Sequence, residues 1–273
     1  MKKSLIAIAA LAAAGAAAAQ SSVTMYGQVN TGYEHSKTDI TIGGVKTTTK
    51  TTGFQNDQVK SSRLGFKGEE ALGNGLSATF ALEMGFDSND GTFKSGAAFD
   101  RKATVGLKGA FGEVRIGKDS TPMNEFDGSF KAIDRTTTLA KQVAGRDASW
   151  EGRPTGLFYN GSLSGVNVSA AIGNDSERVK IAGATTYKQD TAVYGLGLGY
   201  NGGAWAVGAA FQYETLKKEG TFGTADSKVT NYGVGASYDF NVAKVYGQYE
   251  GGQYKNKAST VADKYSYDQF AVG

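Results

Sequence analysis

Few side chains in this 273-residue chain could do covalent chemistry. His35 is its single histidine, cysteine is absent, and no Gly-x-Ser-x-Gly turn presents a serine nucleophile. General acid–base catalysis needs a base held within hydrogen-bond reach of its target. A lone histidine beside a polar, threonine-rich stretch is instead expected to be solvated. The counts exclude thiolate and histidine metal centres, and no cofactor is expected. Asp87, Asn89 and Asp90 offer only a weak oxygen set for calcium. Gly195, Gly197 and Gly199 recur at intervals of two, which is strand periodicity and not a phosphate loop ahead of a helix. What does recur is charge at alternate positions: Arg63, Lys67 and Glu69 share one parity, Leu64 and Phe66 the other. Fixed charges on one face shape the field of a solvent-filled space, and arginine keeps its charge at any relevant pH. No enzymatic turnover is expected from these residues.

Strands must carry such charges. Val23, Met25, Gly27 and Val29 alternate with Thr24, Tyr26, Gln28 and Asn30. Leu76, Ala78, Phe80, Leu82 and Met84 alternate with Ser77, Thr79, Ala81 and Glu83, and the same rule runs through 205–214 and 232–240. Side chains two apart lie on one face of a pleated strand, so each segment has an apolar and a polar side. The segments approach the 9–11 residues of a tilted membrane strand. Aromatics near the ends of the apolar faces, such as Tyr194 with Tyr200 and Tyr232 with Tyr238 and Phe240, suit a membrane–water interface. Short connections at 71–75, 110–112, 164–165, 201–203 and 241 alternate with long ones at 36–60, 88–98, 119–153, 175–190, 218–228 and 256–263. That asymmetry is the pattern of a membrane barrel.

Composition agrees. Thirty-nine glycines against two prolines speak for curved sheet and tight turns rather than helix. Mean hydropathy is −0.32, as expected where half of each strand faces water. Residues 1–19 read as an export signal: Lys2 and Lys3, an apolar run from Leu5 to Leu11, and Ala17-Ala18-Ala19 before a cut at Gln20. Removing it takes the formal net charge from +3 to +1, which argues against nucleic acid as a partner. Residues 20–273 then form one β-barrel domain.

Ser22-Val23-Thr24-Met25-Tyr26-Gly27 resembles the opening strand of Gram-negative trimeric porins, the betaproteobacterial kind in particular. Ser62-Arg63-Leu64-Gly65-Phe66-Lys67-Gly68-Glu69-Glu70 with Leu72-Gly73-Asn74-Gly75-Leu76 is similar to their next strand, turn and strand. Arg101-Lys102-Ala103-Thr104-Val105-Gly106-Leu107, Phe111-Gly112-Glu113-Val114 and Ile116-Gly117-Lys118 resemble the following hairpin. The likeness is specific to about residue 118 and continues by pattern to Gly273.

The resemblance implies an all-β fold, a transmembrane antiparallel β-barrel of the sixteen-strand porin type with an infolded third loop. It also implies a homotrimer in the bacterial outer membrane, in contact with lipid and lipopolysaccharide, passing small hydrophilic solutes and inorganic ions by diffusion. About twelve strands are countable, the twelfth starting near Lys264; Gly273 stands where the family usually ends on an aromatic, so C-terminal strands are expected to be missing. Loop 119–153, with Pro122 and Pro154 at its ends, is the expected infolded loop.

By resemblance the basic wall of the pore constriction is Arg63, Arg101 and Arg153, with Lys67, Arg115 and Lys118 as additional lumenal charges. The facing acidic groups on the loop are Glu125 and Asp127, with Asp134 a weaker candidate. Parity independently turns Arg63 inward. It groups Arg101 with the apolar Ala103, Val105 and Leu107, and says nothing of Arg153. Three wall arginines against two carboxylates predict a modest anion preference. Other readings are a barrel acting as adhesin or structural surface protein through Thr47 to Thr52, a substrate-selective channel, and a soluble β-sandwich.

Overall fold

The computed structural model describes residues 22–42, 44–57, 59–95, 97–130, 152–181, 184–220, 225–256 and 264–273. The export-signal reading of 1–19 and the candidate Asp134 lie outside them.

Alternation builds the strands β1 (Ser22–Gln28), β2 (Thr31–Ile42), β3 (Val45–Asn56), β4 (Arg63–Gly73), β5 (Leu76–Gly85), β6 (Lys102–Gly109) and β7 (Gly112–Lys118). A short helix α1 (Pro122–Asp127) precedes β8 (Thr155–Leu163), β9 (Val166–Ile181), β10 (Ala184–Asn201), β11 (Trp205–Gly220), β12 (Ala225–Asp239), β13 (Lys244–Asn256) and β14 (Lys264–Val272). Twelve of the strands form one antiparallel sheet in the order β1-β4-β5-β6-β7-β8-β9-β10-β11-β12-β13-β14, while β2 and β3 pair as a separate hairpin. The twelve strands counted in the sequence are those of the main sheet, including the one that begins at Lys264.

The two faces of this sheet are chemically opposite. On β10, Tyr194, Leu196, Leu198 and Tyr200 are exposed, whereas Val193 and Thr191 are buried on the other side. Exposed Val207 and Phe211 of β11 and Tyr232 and Val234 of β12 continue the apolar face. Gln212, Glu214, Asn231, Gln248 and Glu250 are buried on the opposite one. A sheet that shows its apolar side chains and buries its polar ones is built for lipid outside and water inside. No helix among the described residues is long and apolar enough to cross a membrane. Tyr194 and Tyr200 are roughly 20 Å apart at ~3.3 Å per residue, which brackets an apolar band. Near the short-turn end the rings gather in pairs, Tyr200 with Trp205 at 5.2 Å and Tyr238 with Phe240 at 4.5 Å.

Three of the expected long loops are instead largely strand. Region 36–60 contains most of the β2–β3 hairpin, registered from Thr31↔Asn56 to Ile42↔Val45. Its threonines are β-branched and suit a strand, but both faces are polar, so apolar alternation gave no signal there. For the same reason 175–190 belongs to β9 and β10, paired through Ser176↔Asp190, and 218–228 shortens because β11 reaches Gly220 and β12 begins at Ala225. The short turns at 74–75, 110–111 and 164–165 fall where expected. Asn74 and Ser164 adopt φ of 53° and 51°, the left-handed region that a two-residue hairpin turn requires.

Candidate functional site

The wall that carries the charges is β4 to β8. Register puts Gly65, Glu83 and Lys102 opposite one another on β4, β5 and β6, facing inward. Gly106, Arg115 and Phe158 form another inward row on β6, β7 and β8.

After β7 the chain leaves the wall and turns inward. Thr121 caps α1 by accepting from the Asn124 amide at 3.2 Å, and Pro122 follows at the first helical turn, where a missing N–H costs nothing. The two ends of the loop are tied together by backbone bonds from Asp119 N to Pro154 O at 3.4 Å and from Thr121 N to Gly152 O at 2.9 Å. This neck holds Arg153.

Opposite the charged wall, glycines receive the helix. A methyl group on Gly195 would meet Pro122 at 2.9 Å, and one on Gly208 or Gly235 would meet the Phe130 ring at 2.8 or 2.7 Å. Gly233 lies directly beneath the Phe126 ring. The periodic inward glycines of β10, β11 and β12 are therefore a bed for the loop. Met123, Phe126 and Phe130 are buried there with Ala210. Between this bed and the charged wall lies a cavity of about 940 Å³, whose lining includes Lys67, Lys102, Arg115, Asp119, Glu125 and Phe126.

The charges fall into two connected groups. In the first, Arg101 Nε donates to Glu83 Oε1 at 2.5 Å, and the Tyr26 hydroxyl donates to the same carboxylate. Arg63 adds its positive potential at Glu83, while its Nη2 donates to Gln28 Oε1 at 3.3 Å. In the second, Arg115 is held by Asp119 at 2.9 Å, Glu113 at 2.8 Å and Asn160 at 2.7 Å. Lys102 Nζ stands 2.7 Å from Asp119 and 3.9 Å from Glu125. Burial pushes the Glu125 carboxyl above its usual range. Lys102 pulls it back, Asp119 adds to the rise, and Arg115 and Arg153 again oppose it. The side chain keeps 48% of its surface open, so lumenal water softens the rise and protons reach the group.

Most of the sequence-selected residues meet here, but not all as expected. Arg63, Lys67 and Arg115 face inward from their strands. Arg101 precedes β6 rather than belonging to it, so strand parity does not bind it and Glu83 turns it inward. Arg153 reaches the second group from the loop neck. Lys118 departs from expectation: it pairs with Ala103, shares the outward face of β7 with Val114 and Ile116, and bends to donate to the Arg153 carbonyl at 2.8 Å. Asp127 departs too. It is 5% exposed and its charge is felt at Tyr267, which puts it on the β14 side of α1. The helix accounts for this, since two residues along an α-helix turn a side chain to nearly the opposite face.

Lys102, Glu83 and Asp119 were not singled out from sequence. Lys102 and Glu83 had a usable signal, because both lie on the polar parity of their strands. Asp119 had none, since it sits past the end of β7. His35 lies on the exposed hairpin and its Nδ1 bonds the Thr52 hydroxyl at 2.9 Å. Asp87 bonds Asn56 and pairs with Lys94, and Asp90 accepts from the Thr92 amide and hydroxyl. Among the described residues no group of three acidic, histidine or cysteine side chains could hold a metal ion.

An antiparallel sheet with a lipid-type exterior and a charged, loop-narrowed interior defines an outer-membrane channel protein. The comparisons agree: the family described as Gram-negative porin matches residues 5–273, and the chain belongs to that family. It is 32% identical over 262 residues to an outer membrane porin protein of Bordetella pertussis, covering 90% of this chain and 68% of that one. It is 36% identical over 257 residues to outer membrane porin protein 32 of Delftia acidovorans, with the same coverages of 90% and 68%. Among solved structures, Salmonella typhi OmpF in complex with daunomycin is similar in fold, with a TM-score of 0.50, 16% identity, and coverage of 93% of this chain and 86% of that one. The protein is thus a porin of the bacterial outer membrane, providing a passive channel for small hydrophilic solutes.

Proposed function

We propose that this porin is a homotrimeric general diffusion channel with a modest anion preference, and that it performs no catalysis. One observation carries the preference: Arg63, Lys67, Arg101, Lys102 and Arg115 crowd one arc of the wall, with Arg153 brought up to it by the loop. A low-dielectric channel focuses such a field and raises the local concentration of the opposite ion. Glu83, Asp119 and Glu125 neutralise part of it, which keeps the preference modest. The trimer follows from the family resemblance. The exposed aromatic rows support contact with outer-membrane lipid and lipopolysaccharide, and residues 1–19 are the export signal of the barrel domain 20–273. His35, on an exposed hairpin with a threonine partner, supports no catalytic reading.

The test is a planar lipid bilayer under a potassium chloride gradient. Stepwise openings with a reversal potential on the anion side are expected, and Arg63→Ala should move it toward cations. An unchanged potential would remove Arg63 from the selecting wall.

A further inference from the structure

We propose that Tyr26 is a positioning residue for ion selection, its hydroxyl holding Glu83 between Arg63 and Arg101 while its ring seats Lys67. The inference deepens the channel reading and rests on it. Tyr26 stands on β1, opposite Gly65 of β4, which in turn pairs with Glu83 of β5. Neighbouring strands are about 4.8 Å apart, so Glu83 is two strands from the tyrosine backbone. The ring crosses that gap because Gly65 has no side chain: a methyl group there would meet Tyr26 Cζ at 2.5 Å and its oxygen at 2.7 Å. Laid flat over β4, the phenol delivers its hydroxyl to the Glu83 carboxylate. Lys67 Nζ comes to 5.6 Å from the centroid of the same ring, within range of a cation–π contact.

The consequence runs through Glu83. It is 6% exposed and takes Arg101 Nε at 2.5 Å. Arg101 lies ahead of β6, so no strand parity directs it, and the position of Glu83 decides where this guanidinium stands. The hydroxyl dipole also offsets the carboxylate's negative potential. Without it the carboxylate keeps Arg101 as its one remaining donor, is less firmly fixed, and shows more of its negative charge to lumenal anions.

The test compares reversal potentials under a salt gradient for the protein extracted from outer membranes and for Tyr26→Phe, Glu83→Gln and the double variant. Tyr26→Phe should lower the anion-to-cation permeability ratio roughly twofold, a small part of the ~10-fold or greater focusing a charged cleft can exert. On the Glu83→Gln background the same change should have no effect, because the hydroxyl acts through that charge. Gly65→Ala, which pushes the ring off β4 without removing the hydroxyl, should reproduce the Tyr26→Phe shift. A parent-like ratio in Tyr26→Phe, or an equal shift on both backgrounds, would overturn the inference while leaving the channel intact. A parent that conducts no ions would overturn the channel reading and this inference together.

Discussion

Lys102 and Lys118 bound the same β-hairpin and carry the same charge, but the sheet sends them to opposite sides. Lys102 faces Asp119 and Glu125, while Lys118 shares its face with Val114 and Ile116. Lys102→Ala should therefore shift the reversal potential toward cations by an amount comparable to Arg63→Ala, and Lys118→Ala should leave it in place. Reversal potentials of the pair settle this; a larger effect at Lys118 would contradict the inward and outward assignment. Glu125 adds a pH dependence. Its carboxyl titrates above the usual ~4.3, being charged above its pKa and neutral below it. As pH falls the lumen should lose this negative charge at a higher pH than an ordinary glutamate would, and anion preference should rise. Glu125→Gln should begin at the higher preference and lose that part of the pH response. At this scale the sequence was legible wherever a residue lay within a strand, as Arg63 shows. Parity also puts Lys118 with Val114 and Ile116 on the outer face, so its lumenal reading came from resemblance alone; parity is silent only at Arg101, which precedes β6.

Elements made mainly of polar residues were the least legible. The β2–β3 hairpin reads as a loop because its few apolar residues, among them Tyr33, Val45 and Phe54, are too sparse to alternate, yet its backbone pairs along its length and Thr48 bonds Asp39 at 2.6 Å. The glycine rhythm of β10 was legible as strand but not as a bed for α1, since that role depends on a loop distant in sequence. Gly233→Leu should force Phe126 off the wall and drive α1 toward Lys102 and Arg115. Overpacking of this kind costs about 1–3 kcal/mol, and the expected signature is a fall in single-channel conductance. Conductance equal to the parent would mean the helix is not pressed against that wall. Excising the hairpin should leave the pore unchanged. It forms its own two-stranded sheet, so replacing residues 34–53 with a short glycine–serine link should leave conductance near that of the parent. A collapse of conductance would show that the hairpin supports the pore, and a loss of cell-surface binding alone would favour the adhesin reading of its threonines.

The whole molecule depends on an inversion that hydropathy averages conceal. Apolar residues are spent on the outside, so a mean hydropathy of −0.32 coexists with a continuous lipid-facing band. Alternation made that band legible, because its period of two survives wherever lipid lies on one side and water on the other. The sixteen-strand type and the trimer rest on family likeness, since no short-range pattern encodes how many strands close a barrel or how many copies assemble. The band has a depth that can be measured. Leu196 lies between the aromatic residues Tyr194 and Tyr200 and is 49% exposed, whereas Val242 caps the β12–β13 turn and is 94% exposed. By exposure alone, arginine should be tolerated at both, since neither side chain is buried. If the exposed face meets lipid, Leu196→Arg should destabilise the folded barrel by roughly 2–4 kcal/mol and Val242→Arg by about 0–1, because the cost of an arginine falls from the bilayer midplane to the interface. Denaturant unfolding from lipid vesicles would measure both. Equal, small losses would mean that Leu196 faces water, and the outward face would then belong to a soluble sheet rather than to a membrane wall.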